Sequence, residues 1–285
     1  MSNLTDKAVA ARPLVVIVPP KKWAPVNLKD LWAARELIGF LTWRDIAVRY
    51  KQTALGASWA VIQPLLTMVV FSVFFGNLAN ISTGADVPYP VFSYAGLLAW
   101  QFFAYSINGA GNCLVVNQNL VTKVYFPRLA LPISAVLSGL LDLFVAGLVF
   151  ILLMLIYSVA PGWAIVTLPL FVLLTIVTCL GTGFLLSSLA VTYRDIAYVI
   201  PFLLQFGIFI TPIAFPASLV PEPWQVLLGL NPMAGAVEGF RWALIGDYPA
   251  PNAAMLALSV ASATVLFVVG IFYFRRTENT FADRI

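Results

Sequence analysis

The stretch that decides the fold is residues 117–132, NQNLVTKVYFPRLALP, a basic, proline-containing segment between two long apolar runs. Upstream of it, no charged residue occurs between Asp86 and Lys123. Downstream of it, Asp142 is the only charged residue before Arg194. Because a membrane-spanning helix needs roughly 20 apolar residues, this pattern predicts spans on both sides of a polar loop.

The same spacing of charges continues along the chain. Hydrophobic residues make up 61% of the 285 residues and charged residues only 10%, whereas soluble domains carry about 25% charged residues. Further charge-free intervals follow Lys51, Asp195 and Asp247. We therefore predict an all-α membrane protein with a six-span domain over residues 53–275. The predicted spans are 56–78, 91–115, 134–157, 165–191, 196–212 and 253–274.

Lysine and arginine are concentrated on one side of these spans. They precede span one and follow spans two, four and six, whereas the connection after span five contains only Arg241 and the other two contain none. Positive residues favour the cytoplasmic side, so both termini are predicted to be cytoplasmic. The loop 116–132 is then the first cytoplasmic loop, residues 1–27 are a flexible cytoplasmic lead and residues 276–285 are a cytoplasmic tail.

Two segments outside the spans are also apolar. Residues 28–52 mix leucine, isoleucine and tryptophan with lysine and arginine, which predicts an amphipathic helix in the cytoplasmic interface; a cytosolic helix packed on a partner is the alternative. Residues 212–250 contain a proline-rich stretch and then an apolar helix too short to span. We predict outer-leaflet re-entrant helices there, with Glu238 and Arg241 on one helical face. A plain external loop is the alternative.

One carboxylate stands inside a predicted span. Asp142 lies about 12 Å along the helix from the start of span three, at 1.5 Å per residue, and an intramembrane carboxylate is a functional hypothesis by default. A structural role, in which Asp142 accepts hydrogen bonds from a neighbouring helix or is protonated, explains it equally well.

The sequence lacks the residues of several kinds of active site. It contains no GxxxxGK[ST] nucleotide-binding loop and no histidine, which excludes imidazole metal sites and histidine bases. We predict no catalytic site, metal or cofactor in this chain and no nucleic-acid partner. The scarcity of intramembrane carboxylates and of internal repeats argues against an ion-coupled carrier. If the chain transports a substrate, something else must supply the energy.

Five segments resemble one family of transporters. They are the loop 117–132, RDIAVRYKQTALGASWAVIQPL at 44–65, YRDIAYVIPFLLQFGIFITPIAFP at 193–216, LNPMAGAVEGFRWALIG at 230–246 and ENTFADRI at 278–285. Over nearly the whole chain, the sequence resembles the membrane subunits of polysaccharide-exporting ABC transporters, such as O-antigen, capsule and teichoic-acid exporters. The resemblance implies a homodimer in the lipids of a bacterial inner membrane, working with two copies of a separate cytoplasmic ATPase that binds ATP and Mg. It also implies a polyprenyl-linked glycan as cargo.

The resemblance gives the opening loop a role. The loop would form a short coupling helix that docks on the ATPase, with Pro127 turning the chain into span three. The implied coupling residues are Lys123, Tyr125, Phe126, Pro127 and Arg128, with Arg194 and Asp195 as a second contact. Two alternatives stay open: Lys123 and Arg128 only anchor the loop at lipid headgroups, and Arg194–Asp195 only cap span five.

Aromatic residues in spans one, two and five are suited to line a path for sugars, because sugar CH faces stack on rings. This channel is predicted to contain Trp59, Phe71, Phe74, Tyr94, Trp100, Phe103, Tyr198, Phe202 and Phe206; lipid-facing aromatics are the alternative. The carrier's pyrophosphate needs cations and backbone N–H groups near the cytoplasmic face. The predicted entrance consists of Arg49, Lys51, Leu55 and Gly56, unless both cations only satisfy the positive-inside rule.

Three other functions fit parts of the pattern: an ABC exporter of small molecules such as drugs, a non-transporting membrane scaffold, and an ion-coupled carrier. The aromatic-rich spans joined to an amphipathic N-terminal helix favour the polysaccharide exporter over the drug exporter. Deleting a scaffold would leave the distribution of cargo unchanged, and a carrier would work without an ATPase.

Overall fold

The computed structural model describes residues 28–51 and 58–284, and every regular element within those ranges is helical. The first half contains α1 Leu28–Ala33, α2 Arg35–Lys51, α3 Ser58–Phe71, α4 Tyr89–Val116, α5 Gln118–Lys123 and α6 Ala130–Ile156. The second half contains α7 Leu168–Thr192, α8 Ile196–Ile210, α9 Glu222–Leu228, α10 Pro232–Leu244, α11 Ala253–Thr277 and α12 Phe281–Arg284. The predicted lead 1–27 and the entrance residues Leu55 and Gly56 lie outside the described residues.

Four helical segments among the described residues are long and apolar enough to cross a membrane. They are Ser58–Leu78, Ala130–Ile156, Trp163–Thr192 and Ala253–Thr280, and they correspond to predicted spans one, three, four and six. The predicted second and fifth spans are also helical, but α4 carries several tyrosine, serine and carboxamide side chains and α8 has only 15 residues. The prediction of an all-helical membrane fold is confirmed, and the count of six spans stays a prediction.

Helix α6 begins earlier than the sequence pattern predicted. It starts at Ala130 rather than at residue 134, so Pro132 lies in its first turn. A proline at this position costs no helical hydrogen bond, because the first N–H groups of a helix have no partner within it. The loop 116–132 is therefore mostly helix, and only residues 124–129 link α5 to α6.

Helix α4 is the central helix of the fold and contacts α6, α7 and α10. Its first three turns are almost wholly buried; Tyr94, for example, stacks on Phe150 of α6 with the ring centroids 6.1 Å apart. Helices α7 and α11 meet at glycines, where a Cβ on Gly270 would lie 2.1 Å from the Gly181 carbonyl oxygen. The two backbones thus touch, as small residues allow between helices in a membrane.

The two short helices predicted within residues 212–250 are present as α9 and α10. Helix α10 begins after Asn231, whose side-chain oxygen accepts a hydrogen bond from the Met233 backbone N–H at 3.0 Å, and Pro232 occupies its first position. Both features favour the start of a helix. The placement of these helices in the outer leaflet stays a prediction.

The bundle has two ends of different composition. The far end consists of the first turns of α4 and α7, helix α10 and the loop 211–217, which share one buried cluster. The terminal end consists of α2, α5, the loop 124–129 and α12. Its core is a second cluster formed by Leu41, Cys113, Leu114, Val121, Phe126, Leu129, Ala130, Leu131, Phe184, Val191, Phe274 and Phe281. The N-terminal helix, the opening loop and the C-terminal tail therefore meet at one place.

Candidate functional site

A polar cleft lies between α3, α4, α6 and α8, and its volume is about 540 Å³. The polar part of its wall is formed by Arg49, Gln63, Thr67, Gln101, Tyr105, Asn108, Asp142 and Gln205. The aromatic part is formed by Trp59, Trp100, Phe102 and Phe209. The cleft thus places large rings beside hydrogen-bonding groups.

The polar wall follows from helical spacing. Trp59, Gln63 and Thr67 recur every four residues and so share one face of α3. The corresponding face of α4 carries Gln101, Tyr105 and Asn108. Thr67 and Gln101 are not among the predicted channel residues, and this polar stripe is the sequence signal that would have found them.

Helix α8 closes one side of the cleft by resting on the Trp100 ring. A Cβ at Gly207 would lie 2.6 Å from Trp100 Cη2, so only glycine lets α8 come this close. The Trp100 ring also packs beside Phe103, with the centroids 5.4 Å apart. Most of the remaining surface of α8 is exposed.

The predicted channel residues occupy different environments. Trp59 and Trp100 line the cleft. Phe71 and Tyr94 are buried in the core, and Phe103 lies beside Trp100. The others are exposed on α8 or on the π-helical turn that follows α3, namely Phe74, Tyr198, Phe202 and Phe206. The cleft therefore brings together two of the predicted residues.

Asp142 has partners in the folded chain. Arg49, at the C-terminal end of α2, donates a hydrogen bond from Nη1 to Asp142 Oδ2, and the Tyr50 hydroxyl donates to Asp142 Oδ1. The charged side chains are 32% exposed for Arg49 and 13% for Asp142, and both line the cleft. The Arg49 guanidinium carbon also lies 4.1 Å from the centroid of the Tyr105 ring.

Two hydroxyl groups hold this ion pair in place. Burial raises the pKa of Tyr50 to about 12, and the Asp142 carboxylate acts in the same direction. The Tyr50 hydroxyl therefore stays protonated and remains a donor at neutral pH. The Tyr105 hydroxyl lies 3.3 Å from Ser138 Oγ and shares a hydrogen bond with it, which fixes the ring beneath Arg49. Lys51, the other described entrance residue, is exposed at the end of α2.

Two of the predicted coupling residues anchor the opening loop to the C-terminal tail. Phe126 is buried in the terminal-end cluster. Arg128 donates a hydrogen bond from Nη1 to the Glu278 carbonyl oxygen, and its guanidinium carbon lies 5.9 Å from the centroid of the Phe281 ring. The Arg128 cation is therefore engaged within the chain.

The other coupling residues are more accessible. Tyr125 and Lys123 are exposed, and Pro127 is half-buried. Arg194 and Asp195 are exposed in the connection between α7 and α8. Asp195 precedes α8, but its carboxylate makes no capping hydrogen bond. Asp195 thus occupies the N-cap position of α8 without a side-chain capping bond, and a contact with another molecule stays a prediction.

The predicted pair Glu238–Arg241 forms the centre of the far end. Arg241 is completely shielded from solvent, and its Nη1 lies 2.8 Å from Glu238 Oε1. It also donates to the carbonyl oxygens of Pro212 at 2.7 Å, Ile213 at 2.6 Å and Phe92 at 3.3 Å. A buried guanidinium needs acceptors for its N–H donors, and these acceptors come from distant segments. Arg241 therefore links α4, α10 and the loop 211–217.

Glu238 is saturated as well. Its Oε1 accepts a hydrogen bond from the Ala217 backbone N–H at 3.1 Å, and its Oε2 accepts one from the Tyr248 hydroxyl at 2.9 Å. Burial, followed by the Glu238 charge, raises the pKa of Tyr248 above its ordinary value, so the hydroxyl stays a donor. We call Glu238, Arg241 and Tyr248 the far-end clamp. Its geometry points to a structural role.

Known proteins of similar sequence cover most of the chain. The family model described as ABC-2 type transporter matches residues 36–245, from α2 to the end of α10. The chain is 29% identical to the O-antigen export system permease protein RfbA of Myxococcus xanthus over 262 residues, which are 90% of this chain and 98% of that protein.

Two further relatives align over similar lengths. The chain is 28% identical to the polysialic acid transport protein KpsM of Escherichia coli over 241 residues, or 83% of this chain and 91% of that protein. It is 27% identical to the inner membrane transport permease YadH of Escherichia coli (strain K12) over 263 residues, or 87% and 92%. With its apolar helices and a family match over most of its length, this chain belongs to the ABC-2 type transporter family of multi-pass membrane proteins.

Proposed function

We propose that this chain is the membrane subunit of an ABC transporter that exports a lipid-linked, O-antigen-like polysaccharide across the bacterial inner membrane. The observation that carries the proposal is the near full-length match to relatives named for O-antigen export and polysialic acid transport. The chemistry of the cleft supports the same conclusion.

Sugars need two kinds of contact, and the cleft provides both. Their CH faces stack on aromatic rings, which Trp59 and Trp100 supply. Their hydroxyl groups exchange hydrogen bonds with carboxamides, which Gln63, Gln101 and Gln205 supply. A wall of this composition holds successive sugar units without depending on one particular linkage.

In this proposal the chain crosses the membrane six times, with α4 and α8 joining the four apolar spans, and both termini are cytoplasmic. The chain works as a homodimer. Helices α3 and α8 flank the cleft and, with the π-helical turn after α3, present exposed apolar side chains such as Leu66, Phe74, Phe202 and Phe206. A second copy placed against these helices buries them and closes the cleft into a channel.

The energy comes from two copies of a cytoplasmic ATPase, which bind ATP and Mg. Lys123 and Tyr125 provide the contact with that subunit, because they are exposed on the opening loop. Phe126, Pro127 and Arg128 shape the loop and tie it to the tail, so force on the loop reaches α6 and α11. Arg194 and Asp195 form the second contact.

The cargo enters beside α2 at the terminal end. The pyrophosphate of the lipid carrier is held there by Arg49 and Lys51 together with Leu55 and Gly56. A guanidinium and an ammonium are the usual protein partners of phosphate oxygens.

A second candidate function is export of a small apolar molecule. A cavity of about 730 Å³ lies among α6, α7 and α10. It is lined almost entirely by hydrophobic side chains such as Leu148, Phe150 and Phe240. The relative YadH, named only as a transport permease, is compatible with this alternative.

The test is ATP turnover by the complex of this chain with its cognate ATPase in lipid nanodiscs. We expect purified lipid-linked glycan to stimulate turnover and a panel of hydrophobic drugs to have no effect. Gln101→Leu should raise the glycan concentration for half-maximal stimulation by about fivefold, because one hydrogen bond is lost. Gln225→Leu on α9, outside the cleft, is the matched control and should leave that concentration unchanged.

The alternatives predict other results. Stimulation by drugs and not by glycan would replace the polysaccharide with a small-molecule cargo. If no ATPase binds the chain, the exporter loses its energy source. A scaffold or an ion-coupled carrier would then be the better explanation.

A further inference from the structure

We infer that Asp142 is the resting counter-ion of a phosphate-binding arginine, and that the pyrophosphate of the incoming lipid carrier displaces it from Arg49. The inference rests on the proposed function, because it concerns how the headgroup of that cargo is held. It assigns a ligand-exchange role to the Arg49–Asp142 pair.

The position of the pair is the first argument. Both side chains line the cleft, yet Arg49 is the more exposed of the two, at 32% against 13%. An anion in the cleft therefore reaches the guanidinium without first reaching the carboxylate. The guanidinium has five N–H donors, and its Nη1 donates to the Asp142 carboxylate.

The neighbours of the pair make the exchange possible. A shielded carboxylate that loses its cation is costly, but Asp142 keeps the hydrogen bond from the Tyr50 hydroxyl. Arg49 keeps its contact with the Tyr105 ring, and such a ring attracts a cation whichever anion accompanies it. Rotation of one long side chain is then sufficient, and α2 itself does not have to move.

The exchange also gives selectivity. A pyrophosphate offers more charge and more acceptor oxygens than a carboxylate, and it can bind a guanidinium through two parallel hydrogen bonds. A phosphodiester headgroup, as in ordinary anionic phospholipids, carries a single charge and competes less well with Asp142. The carboxylate thus sets a threshold that excludes the abundant lipids of the membrane.

The test compares headgroup binding by the complex in nanodiscs. The probes are polyprenyl pyrophosphate and polyprenyl monophosphate, with uncharged polyprenol as the blank. In Asp142→Asn the competing charge is removed, so the affinity for polyprenyl pyrophosphate should rise by about tenfold, the equivalent of one hydrogen bond between charged groups. The preference for pyrophosphate over monophosphate should shrink at the same time.

Asp45→Asn is the matched control. Asp45 pairs with Arg44 on the same helix at 2.7 Å, with similar exposure of the arginine, and it does not line the cleft. This variant should bind both probes as the wild type does. A folded Asp142→Asn complex with unchanged or weaker affinity would overturn the inference and leave a purely structural ion pair.

A second variant decides the matter if Asp142→Asn does not assemble. Tyr50→Phe keeps every charge but removes the donor that holds Asp142 after the exchange, so we expect binding to weaken several-fold. Unchanged binding by this variant would contradict the exchange. Failure of the proposed function looks different: the wild-type complex itself would show no stimulation by the lipid-linked glycan.

Discussion

The far end and the terminal end of the bundle are held together by different kinds of contact. At the far end a fully shielded arginine bonds the backbone of two distant segments and a buried glutamate. At the terminal end aromatic rings pack around a loop whose neighbouring side chains, Tyr125 among them, point away from the protein. Polar bonds in a dry interior fix one arrangement, whereas ring packing tolerates adjustment. The far end is therefore built to stay fixed, and the terminal end is the part that receives the ATPase in the proposed function.

Arg241→Met has the largest expected effect and tests directly whether the two ends differ. The change leaves Glu238 without its cation and should destabilise the protein by about 3–5 kcal/mol, measured as thermal unfolding in detergent. The chain offers a matched pair for control, because Arg275 and Glu278 have the same spacing but are partly exposed at the terminal end. Arg275→Met should cost about 1 kcal/mol or less. Equal losses in the two variants would mean that the ends do not differ.

Alanine substitutions at two helix glycines compare how tightly the two ends are packed. A Cβ at Gly239 of α10 would lie 2.0 Å from the Phe171 ring, whereas one at Gly39 of α2 would meet nothing within 4 Å. Gly239→Ala should destabilise by about 1–3 kcal/mol. Gly39→Ala should stabilise by about 0.5–1 kcal/mol, because alanine favours helix. Thermal unfolding of both variants checks whether the two changes in stability have opposite signs. If Gly239→Ala did not lower stability, the packing of the far end would be adjustable.

Variants of Arg128 and Lys123 distinguish a side chain that anchors the opening loop from one that is only exposed on it. Arg128→Ala removes a charged hydrogen bond to the tail and should cost about 1 kcal/mol, reduced from the usual range by partial exposure. Hydrogen exchange of the backbone over residues 278–284 should accelerate in this variant. Lys123→Ala should leave that exchange unaltered. If both variants behave alike, the loop and the tail are not joined through Arg128.

The smallest expected effect on stability belongs to Tyr125→Ala. The side chain is fully exposed, at 103% of its reference area, so the free energy of unfolding should change by less than about 0.5 kcal/mol. ATP turnover with the cognate ATPase should nevertheless fall by about fivefold, because exposed tyrosines commonly dominate binding surfaces. Tyr157→Ala, at the opposite end of α6, is the control. Unchanged ATP turnover in Tyr125→Ala would indicate that the terminal end does not contact the ATPase.

The sequence predicted the features that depend on residues close to one another in the chain. Charge-free intervals located the long helices, because a bilayer admits few charged residues. The spacing of Glu238 and Arg241 placed both on one helical face, and the structure joins them directly. The carbonyl partners of Arg241 left no trace in the sequence, since backbone acceptors are the same for every residue.

Long-range contacts were the part that could not be predicted. Arg49 and Asp142 stand 93 residues apart, and no periodicity connects them, so the sequence allows a hydrogen bond to Asp142 from a neighbouring helix but does not identify Arg49 as the donor. Tyr94 and Trp100 counted equally as channel aromatics, yet one stacks inside the core and the other lines the cleft. Which face of a helix meets its neighbours is decided by tertiary packing.

The far-end clamp also constrains how the protein is made. Arg241 donates a hydrogen bond to the Phe92 carbonyl oxygen, 149 residues earlier in the chain. Glu238 accepts a hydrogen bond from Tyr248, which follows it in the chain. The early helices must therefore enter the membrane without this fastening, which forms only after Arg241 and Tyr248 have been synthesised. A nascent chain stopped before α10 leaves the Pro212 and Ile213 carbonyl oxygens without Arg241 as their donor, and unpaired backbone groups are costly in a membrane. The clamp thus closes only after the chain has been synthesised as far as Tyr248.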